Sequence, residues 1–431
     1  MKNIIWSCIL ITFWGISSKS QTLDYDPDLW MPDTIPLALG NTIELYNNNI
    51  AFTRLNDNLI QFGWKYTVGT ADNQKWGWTA NQTGNFKLTL NCFYKDNLVD
   101  SARTIVKVVD KIKVGKKNIL AIGNSLTSSG FGYQVVQISS DLNFELNPIG
   151  TRESSVKHEG HGGWLFKSFL ESGSPFYIEG ALNFKKYIEN NGLPNPDIVR
   201  ISMGINDCYL NPSLEEIMSY AGYLIDIIYH DYPNSLIFIA LPTTCEGTGI
   251  GWTSVYYSLD NYERYQLRMR ELWKRIYNKY GCGHYKQNIQ VSYDGLCIDR
   301  INGYPKNNGV HPNKLGYEEL ARGFSNTLND AMAAIGETNS TATSFFEKSY
   351  PDQIDSPVIY PNPFSNTLWL SNAENIIRAE LLNMRGETLF MKKNLKDSKL
   401  KIDTENLEGG IYILRLLDDT GAISAFKVVV K

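Results

Sequence analysis

The chain has 431 residues, enough for roughly three domains, each able to bury a core. Apolar residues make up 43% and charged residues 20%, which excludes a disordered chain. Lys and Arg number 41 against 45 Asp and Glu, a net charge of −4 with no long basic block, so no nucleic-acid partner is expected.

The first segment, "MKNIIWSCILITFWGISSKSQ", carries a lysine, an apolar run from Ile4 to Ile16, and then small residues. It reads as a secretory signal peptide over residues 1–20, cut near Ser20 or Gln21. The run is too short to span a bilayer. Cys8 lies inside it rather than after it, which argues against a lipoprotein anchor. No later segment is long and apolar enough to cross a membrane, so the mature chain is expected to be exported without a transmembrane segment. Five cysteines remain after cleavage, Cys92, Cys208, Cys245, Cys282 and Cys297. Export permits disulfides, but the odd count leaves a thiol over, and the absence of C-x-x-C gives no support to zinc.

Residues 22–115 read as β. "TIELYNNNIAF", "QFGWKYTV", "NFKLTLNCFY" and "ARTIVKVVDKI" are short, partly alternating runs punctuated by Asn, Asp and Gly. Their spacing predicts a small sandwich of immunoglobulin-like type. Trp76 and Trp78 in "QKWGWTAN" have two readings, core or hairpin packing and a sugar-stacking platform, the first being the commoner use of such a pair.

Residues 116–335 alternate strand and helix. "NILAIG", "NFELNPIG", "DIVRISMG", "SLIFIALP" and "NIQVSYD" are apolar runs suited to strands buried on both faces. "PSLEEIMSYAGYLIDIIYH" opens with Ser213 and Glu216 at capping-box spacing, then sets Ile217, Ala221, Leu224 and Ile228 on one helical face. "ERYQLRMRELWKRIYNKYG" is a second helix, ended by lysines and Gly281. The alternation predicts an α/β domain with a parallel sheet and ligands at the carboxyl ends of its strands. Residues 336–357 form a polar linker, and 358–431 a second compact β pattern, a terminal sandwich.

The candidate chemistry follows the strands. "NILAIGNSLTSSG" drives an apolar strand into Ser125. The glycine spacing and lysine of a phosphate loop are missing, and a dinucleotide fingerprint fails too. A nucleophilic serine needs a base and oxyanion donors at later strand ends. "HEGHGGW" offers Gly162 and Gly163, whose backbone can approach an oxyanion closely. "SMGINDC" offers the Asn206 amide, with Asp207 holding the loop. "NNGVHPNKLGYEELA" offers His311 before a helix whose first turn holds Pro312 and Asn313.

These four motifs, in order and each after a strand, resemble the SGNH/GDSL hydrolase family: Ser125 in "GNSL", Gly163 in "GHGGW", Asn206 in "GIND" and His311 in "GVHPN". The resemblance covers about half of the chain. It implies a flavodoxin-like three-layer hydrolase domain, flanked by the two β-sandwiches. It also implies Ser125 as nucleophile, His311 as base, and an oxyanion hole from the N–H groups of Ser125 and Gly163 and the side chain of Asn206, with no cofactor and no metal. Two positions depart from the family pattern. Asn124 stands for the usual aspartate, a change of little consequence because that group is not catalytic. Asn308 stands where the family places the acid, three residues before the histidine. Three outcomes stay open: a Ser–His dyad oriented by Asn308 or a backbone carbonyl, a carboxylate supplied by Asp299 or Asp294, or a slow or inactive enzyme. The first two are favoured because the nucleophile and oxyanion donors are intact.

His161 is expected to line the cleft and His158 to lie on the surface, a metal between them lacking a third ligand. Trp164, Trp252, Tyr256 and Tyr257 are loop aromatics that either stack on a sugar or pack as a lid. The terminal "YPNPF" (Tyr360–Phe364), "NMRGE" (Asn383–Glu387), "LEGGIYILRL" (Leu407–Leu416) and "FKVVVK" resemble the C-terminal sorting domain of type IX secretion cargo. That implies the type IX machinery as a partner and an extracellular or outer-surface location. The combined expectation is an exported serine esterase acting on acetylated glycans. The alternatives are a lipase or lysophospholipase, and a surface glycan-binding protein whose site has decayed.

Overall fold

The first strands of the chain follow its alternating runs. In a computed structural model, residues 27–52, 59–210, 213–255, 258–281, 286, 288–339, 358–360, 367–371, 376–383, 387–393, 399–403, 407–418 and 423–430 are described. Residues 1–26, where the signal peptide is expected, Cys282, Tyr256, Tyr257, most of the expected linker, Pro361–Phe364 of "YPNPF" and Met384–Gly386 of "NMRGE" lie outside them. The chain divides into two compact units, Met1–Ser340 and Thr341–Lys431.

In the first unit, strands β1 (Thr34–Ala38), β2 (Thr42–Tyr46), β3 (Ile60–Tyr66), β4 (Lys75–Thr79), β5 (Gly84–Tyr94) and β6 (Asn97–Val109) make two sheets. One runs β1-β6-β5-β3, and the other joins β2 and β4 to the short strand Thr70–Ala71. Alternate residues of β5 and β6, among them Leu88, Leu90, Val106 and Val108, turn inward. Trp76 and Trp78 are buried with them, so they pack the core and offer no sugar platform.

The next strands are β7 (Lys117–Gly123), β8 (Leu146–Ile149), β9 (Lys157–Gly160), β10 (Ile198–Ser202), β11 (Leu236–Ala240) and β12 (Ile289–Ser292). β8 pairs with the first half of β7 and β9 with its end, both parallel, while β10, β11 and β12 extend the sheet on the other side. The order is therefore 2-1-3-4-5, which reverses between β7 and β10; a ligand crevice forms at such a reversal. Helices α1 (Ser125–Leu142), α2 (Phe184–Asn190), α3 (Ile205–Leu210), α4 (Leu214–Asp231), α5 (Ile250–Thr253), α6 (Leu259–Tyr280) and α7 (Lys314–Asn339) connect the strands.

The strands bury both faces, as their unbroken apolar runs require. Ile119, Ala121, Ile198 and Phe238 meet α1 and α7 through Phe131, Ile138, Phe324 and Leu328. Leu120, Ile122, Val199 and Ile237 face α4 and α6 within a second cluster that also contains the N-terminal strands. Each residue buried in this way is stabilised by about 1.5–3 kcal/mol. The capping box of α4 forms as the spacing predicts. α7 runs to Asn339, beyond the expected boundary at residue 335.

The run "NNN" after β2 ties the N-terminal sheets to the loop after β12. Asn49 is fully buried, and its amide donates to the carbonyls of Leu296 (3.1 Å) and Ile298 (2.7 Å). Arg300 donates to the Asn48 carbonyl at 2.7 Å, and Arg270 to the Asn49 carbonyl at 2.9 Å. None of the described cysteines, Cys92, Cys208, Cys245 and Cys297, forms a disulfide, and all four are buried. Among the described residues no helix is long and apolar enough to cross a membrane.

The second unit has β13 (Val358–Tyr360), β14 (Thr367–Ser371), β15 (Ile376–Leu382), β16 (Thr388–Lys393), β17 (Lys399–Asp403), β18 (Gly410–Asp418) and β19 (Ile423–Val430). They form antiparallel sheets β13-β14-β17 and β16-β15-β18-β19 around one core that includes Leu370, Leu381, Ile402 and Leu414.

Candidate active site

The carboxyl end of β7 is a tight corner. A Cβ on Gly123 would lie 1.9 Å from Thr127 Oγ1, and one on Gly160 would lie 2.5 Å from Ser128 N, so only glycine fits at either position. The buried Asn124 side chain caps α1, its Oδ1 accepting from Leu126 N at 3.0 Å. An amide oxygen makes this cap as well as a carboxylate would, so asparagine keeps it. Ser125 is thereby held as the first residue of an 18-residue helix, whose N-terminal dipole favours negative charge.

His311 Nε2 lies 2.9 Å from Ser125 Oγ. The histidine arrives on the loop before α7, in a turn built by Asn308. Asn308 Oδ1 accepts from Val310 N (3.0 Å) and His311 N (3.0 Å), which fixes the amide orientation. His311 Nδ1 then lies 3.3 Å from that oxygen and 3.2 Å from the amide nitrogen. Two tautomers fit. With hydrogen on Nδ1, the ring donates to Oδ1 and Nε2 can accept from Ser125. With hydrogen on Nε2, the amide donates to Nδ1 and Nε2 cannot act as a base. A carboxylate would permit only the first. Burial holds the His311 pKa below the ordinary histidine value, which keeps the ring neutral and able to take a proton.

The weighed carboxylates are engaged elsewhere. Asp299 Oδ1 accepts from Ile301 N (2.8 Å) and Asn302 N (3.1 Å), and its Oδ2 from Asn302 Nδ2 (2.8 Å), closing a turn. Asp294 is buried against the guanidinium of Arg200, which also donates to Gln134 at 2.5 Å. Among the described residues, the His311 ring bonds to Asn308 and Ser125.

Gly163 has φ +80, a conformation that side-chain residues adopt only with strain, and space for a Cβ is open around it. Its loop, His161–Gly162–Gly163–Trp164, is closed by Trp164 N donating to His161 O at 3.2 Å. Asn206, at the start of α3, donates its side-chain N–H to the Trp164 carbonyl at 2.9 Å. Asp207 is buried and accepts from Phe166 N at 3.1 Å, holding the same loop, and burial raises its pKa to about 6.

His161 lies beside the loop with its ring stacked on Trp164, centroids 3.9 Å apart. Its Nε2 is 3.0 Å from Glu159 Oε2, a fully buried carboxylate that sequence reasoning missed. The signal was a lone glutamate inside a strand that buries both faces. His158 is buried, not on the surface: it lies in β9, and its Nδ1 accepts from Gly160 N at 2.9 Å. Trp252 is 1% exposed, packed on Tyr262 and Tyr265, with its Nε1 donating to Ser258 O at 3.1 Å. It belongs to the core and presents no face to a sugar. Among the described residues, no group of three or more His, Cys, Asp or Glu side chains is set to hold a metal ion.

Residues 358–431 match the family model of the secretion system C-terminal sorting domain. That match supports export to the cell surface or the extracellular space. No curated protein matches the chain. Similar solved structures include a carbohydrate esterase family 3 protein from Talaromyces cellulolyticus, 15% identical, covering 52% of this chain and 100% of that one with a TM-score of 0.34. A member of the lipolytic protein G-D-S-L family from Veillonella parvula is 17% identical, covering 49% and 96%, with a TM-score of 0.30. A psychrotrophic esterase from Pseudoalteromonas sp. is 12% identical, covering 50% and 99%, with a TM-score of 0.31.

Proposed function

We propose that this chain is an exported serine esterase of the SGNH type that removes acetyl groups from polysaccharide or oligosaccharide. The observation that carries the reading is the 2.9 Å contact between Ser125 Oγ and His311 Nε2 at the head of α1. Ser125 attacks the ester carbonyl while His311 takes its proton. The N–H groups of Ser125 and Gly163 and the second amide hydrogen of Asn206 receive the oxyanion. His311 protonates the leaving alcohol and then activates the water that hydrolyses the acyl-enzyme. Asn308 orients the ring of this dyad without charging it.

The acetylated-glycan substrate is inferred from the surface destination and the flanking β-domains. The small interior cavity lined by Leu126, Gln134, Arg200 and Asp294 includes none of Ser125, Gly163, Asn206 or His311 and does not bear on acyl size. The partners are an acetylated glycan and, through the terminal domain, the type IX machinery, after removal of residues 1–20. The N-terminal strands are the immunoglobulin-like module of this architecture, here used as support. A second reading, a glycan-binding protein with a decayed site, is favoured by Asn308. The burial of Trp76, Trp78 and Trp252 weighs against it.

The test is acetate release from acetylated oligosaccharides and from an aryl acetate, wild type beside Ser125→Ala. The expected loss in the variant is at least about 10³-fold. Hydrolysis that survives in Ser125→Ala would overturn the mechanism, and binding of glycan with no turnover would favour the second reading.

A further inference from the structure

We propose that Glu159 and His161 form a carboxylate–imidazole pair that positions the oxyanion loop, the proposal resting on the esterase reading above. β9 lies in register with the end of β7, Ile122 opposite Glu159 and Gly123 opposite Gly160. The next residue is locked to the nucleophile corner, His161 N donating to Gly123 O at 2.9 Å. The Glu159 carboxylate is fully buried, and each of its hydrogen-bond partners among the described residues can donate to it. Oε1 accepts from Thr151 N (2.6 Å), Thr151 Oγ1 (2.6 Å) and Tyr187 Oη (2.7 Å). Oε2 takes the remaining donor, His161 Nε2. A carboxylate so surrounded has no place for a proton of its own, so the hydrogen stays on Nε2 of His161 and the ring plane is fixed.

The fixed ring carries the loop. Its face lies on the Trp164 indole at an interplanar angle of 19°, and Phe169 closes the edge of both rings at 5.5 Å and 4.9 Å. The Trp164 carbonyl takes one hydrogen of the Asn206 amide and leaves the other for substrate. A ring that tilts moves Trp164, and with it both Gly163 N–H and the Asn206 side chain. Preorganised donors lose their value when they drift by a fraction of an ångström. His161 therefore acts through the oxyanion donors and does not touch the reacting atoms. It is a positioning residue, with its side chain only 11% exposed.

The experiment is a double-mutant cycle on aryl acetate hydrolysis. His161→Phe keeps the ring and loses the donor, while His161→Gln keeps a donor and loses the stack. Each is expected to lower kcat by about ten- to a hundredfold with KM within about threefold. On an Asn206→Ala background the same change is expected to cost less than about threefold, because residues acting as one unit are not additive. Hydrogen exchange supplies a readout without substrate: the His161 and Trp164 amides, which donate to Gly123 O and His161 O, are expected to lose protection in both variants. Equal losses on the two backgrounds would overturn the proposal while leaving the esterase reading intact. A wild type that hydrolyses no ester, with exchange nevertheless raised in the variants, would end the esterase reading and leave the positioning. Unchanged exchange together with an inactive wild type would end both. If His161→Phe fails to fold, His161→Gln carries the cycle.

Discussion

Two imidazoles stand near Ser125, and their partners differ. His161 faces a fully buried carboxylate through Nε2, whereas His311 faces a neutral amide through Nδ1 and Ser125 through Nε2. Glu159 stays ionised in spite of burial because four donors converge on it, and its pKa is held below the ordinary carboxylate value. A partner of that kind fixes one tautomer and resists change. Asn308 accepts or donates with equal ease, so the ring it orients keeps two tautomers and no counter-charge. The buried carboxylate stands beside His161, while His311, the proposed base, has an uncharged neighbour.

The comparison can be broken most severely at the base. His311→Gln should lower kcat by at least about 10³-fold on an aryl acetate, with the thermal midpoint little changed. Making the two pairs alike comes next. Asn308→Asp retains the acceptor for Val310 N and His311 N and adds the missing charge. The expected result is a rise in kcat of about tenfold or more, since the reverse exchange costs a serine protease about 10⁴-fold. A rate that stays flat or falls would mean that ring orientation by Asn308 is already sufficient.

The pH profile gives a smaller but cleaner effect. Burial depresses the His311 pKa, so kcat/KM of the wild type should rise as the ring deprotonates, with its midpoint below the ordinary value of 6.5. Asn308→Asp should move that midpoint upward, because a carboxylate favours the imidazolium. A wild-type midpoint above 6.5 would contradict the burial argument.

The smallest effect concerns a further buried carboxylate that has too few donors. Glu319 accepts from Asp299 N at 2.8 Å and from Tyr46 Oη at 3.3 Å, and burial lifts its pKa from 4.5 to about 7. A raised folded pKa means that the stabilisation is whole below the unfolded value of 4.5 and is lost as pH climbs to about 7. Glu319→Gln should flatten that decline, raising the thermal midpoint by a few degrees at pH 8 relative to pH 5. An unchanged slope would assign the decline to other groups, Asp207 among them.

The strands that carry this site were legible because each is a continuous apolar run, and the four motifs follow them in order. The capping box of α4 was legible for the same local reason. What escaped the sequence is contact between distant segments. Nothing around "HEG" announces that Thr151 and Tyr187 converge on Glu159 across the sheet. Trp252 sits in a glycine-rich loop and reads as exposed, yet the N-terminal half of α6 covers it with Tyr262 and Tyr265. His158 is a polar residue on a strand only four residues long, too short to show which face it takes. Asn49 looks like a turn residue, and only the fold reveals that both its amide hydrogens hold the loop leading to the histidine.

That last contact sets when the molecule can begin to work. Ser125 and His311 are 186 positions apart in the chain, and the loop that precedes His311 rests on Asn48 and Asn49, about 250 positions before it. The corner at Ser125 draws on Gly123, Asn124 and Gly160, near one another in the sequence, whereas His311 reaches Ser125 on a loop held by the beginning of the first unit. Activity should therefore appear in a single late step of folding, with no partially competent form on the way, and an unfolded precursor is inert by construction.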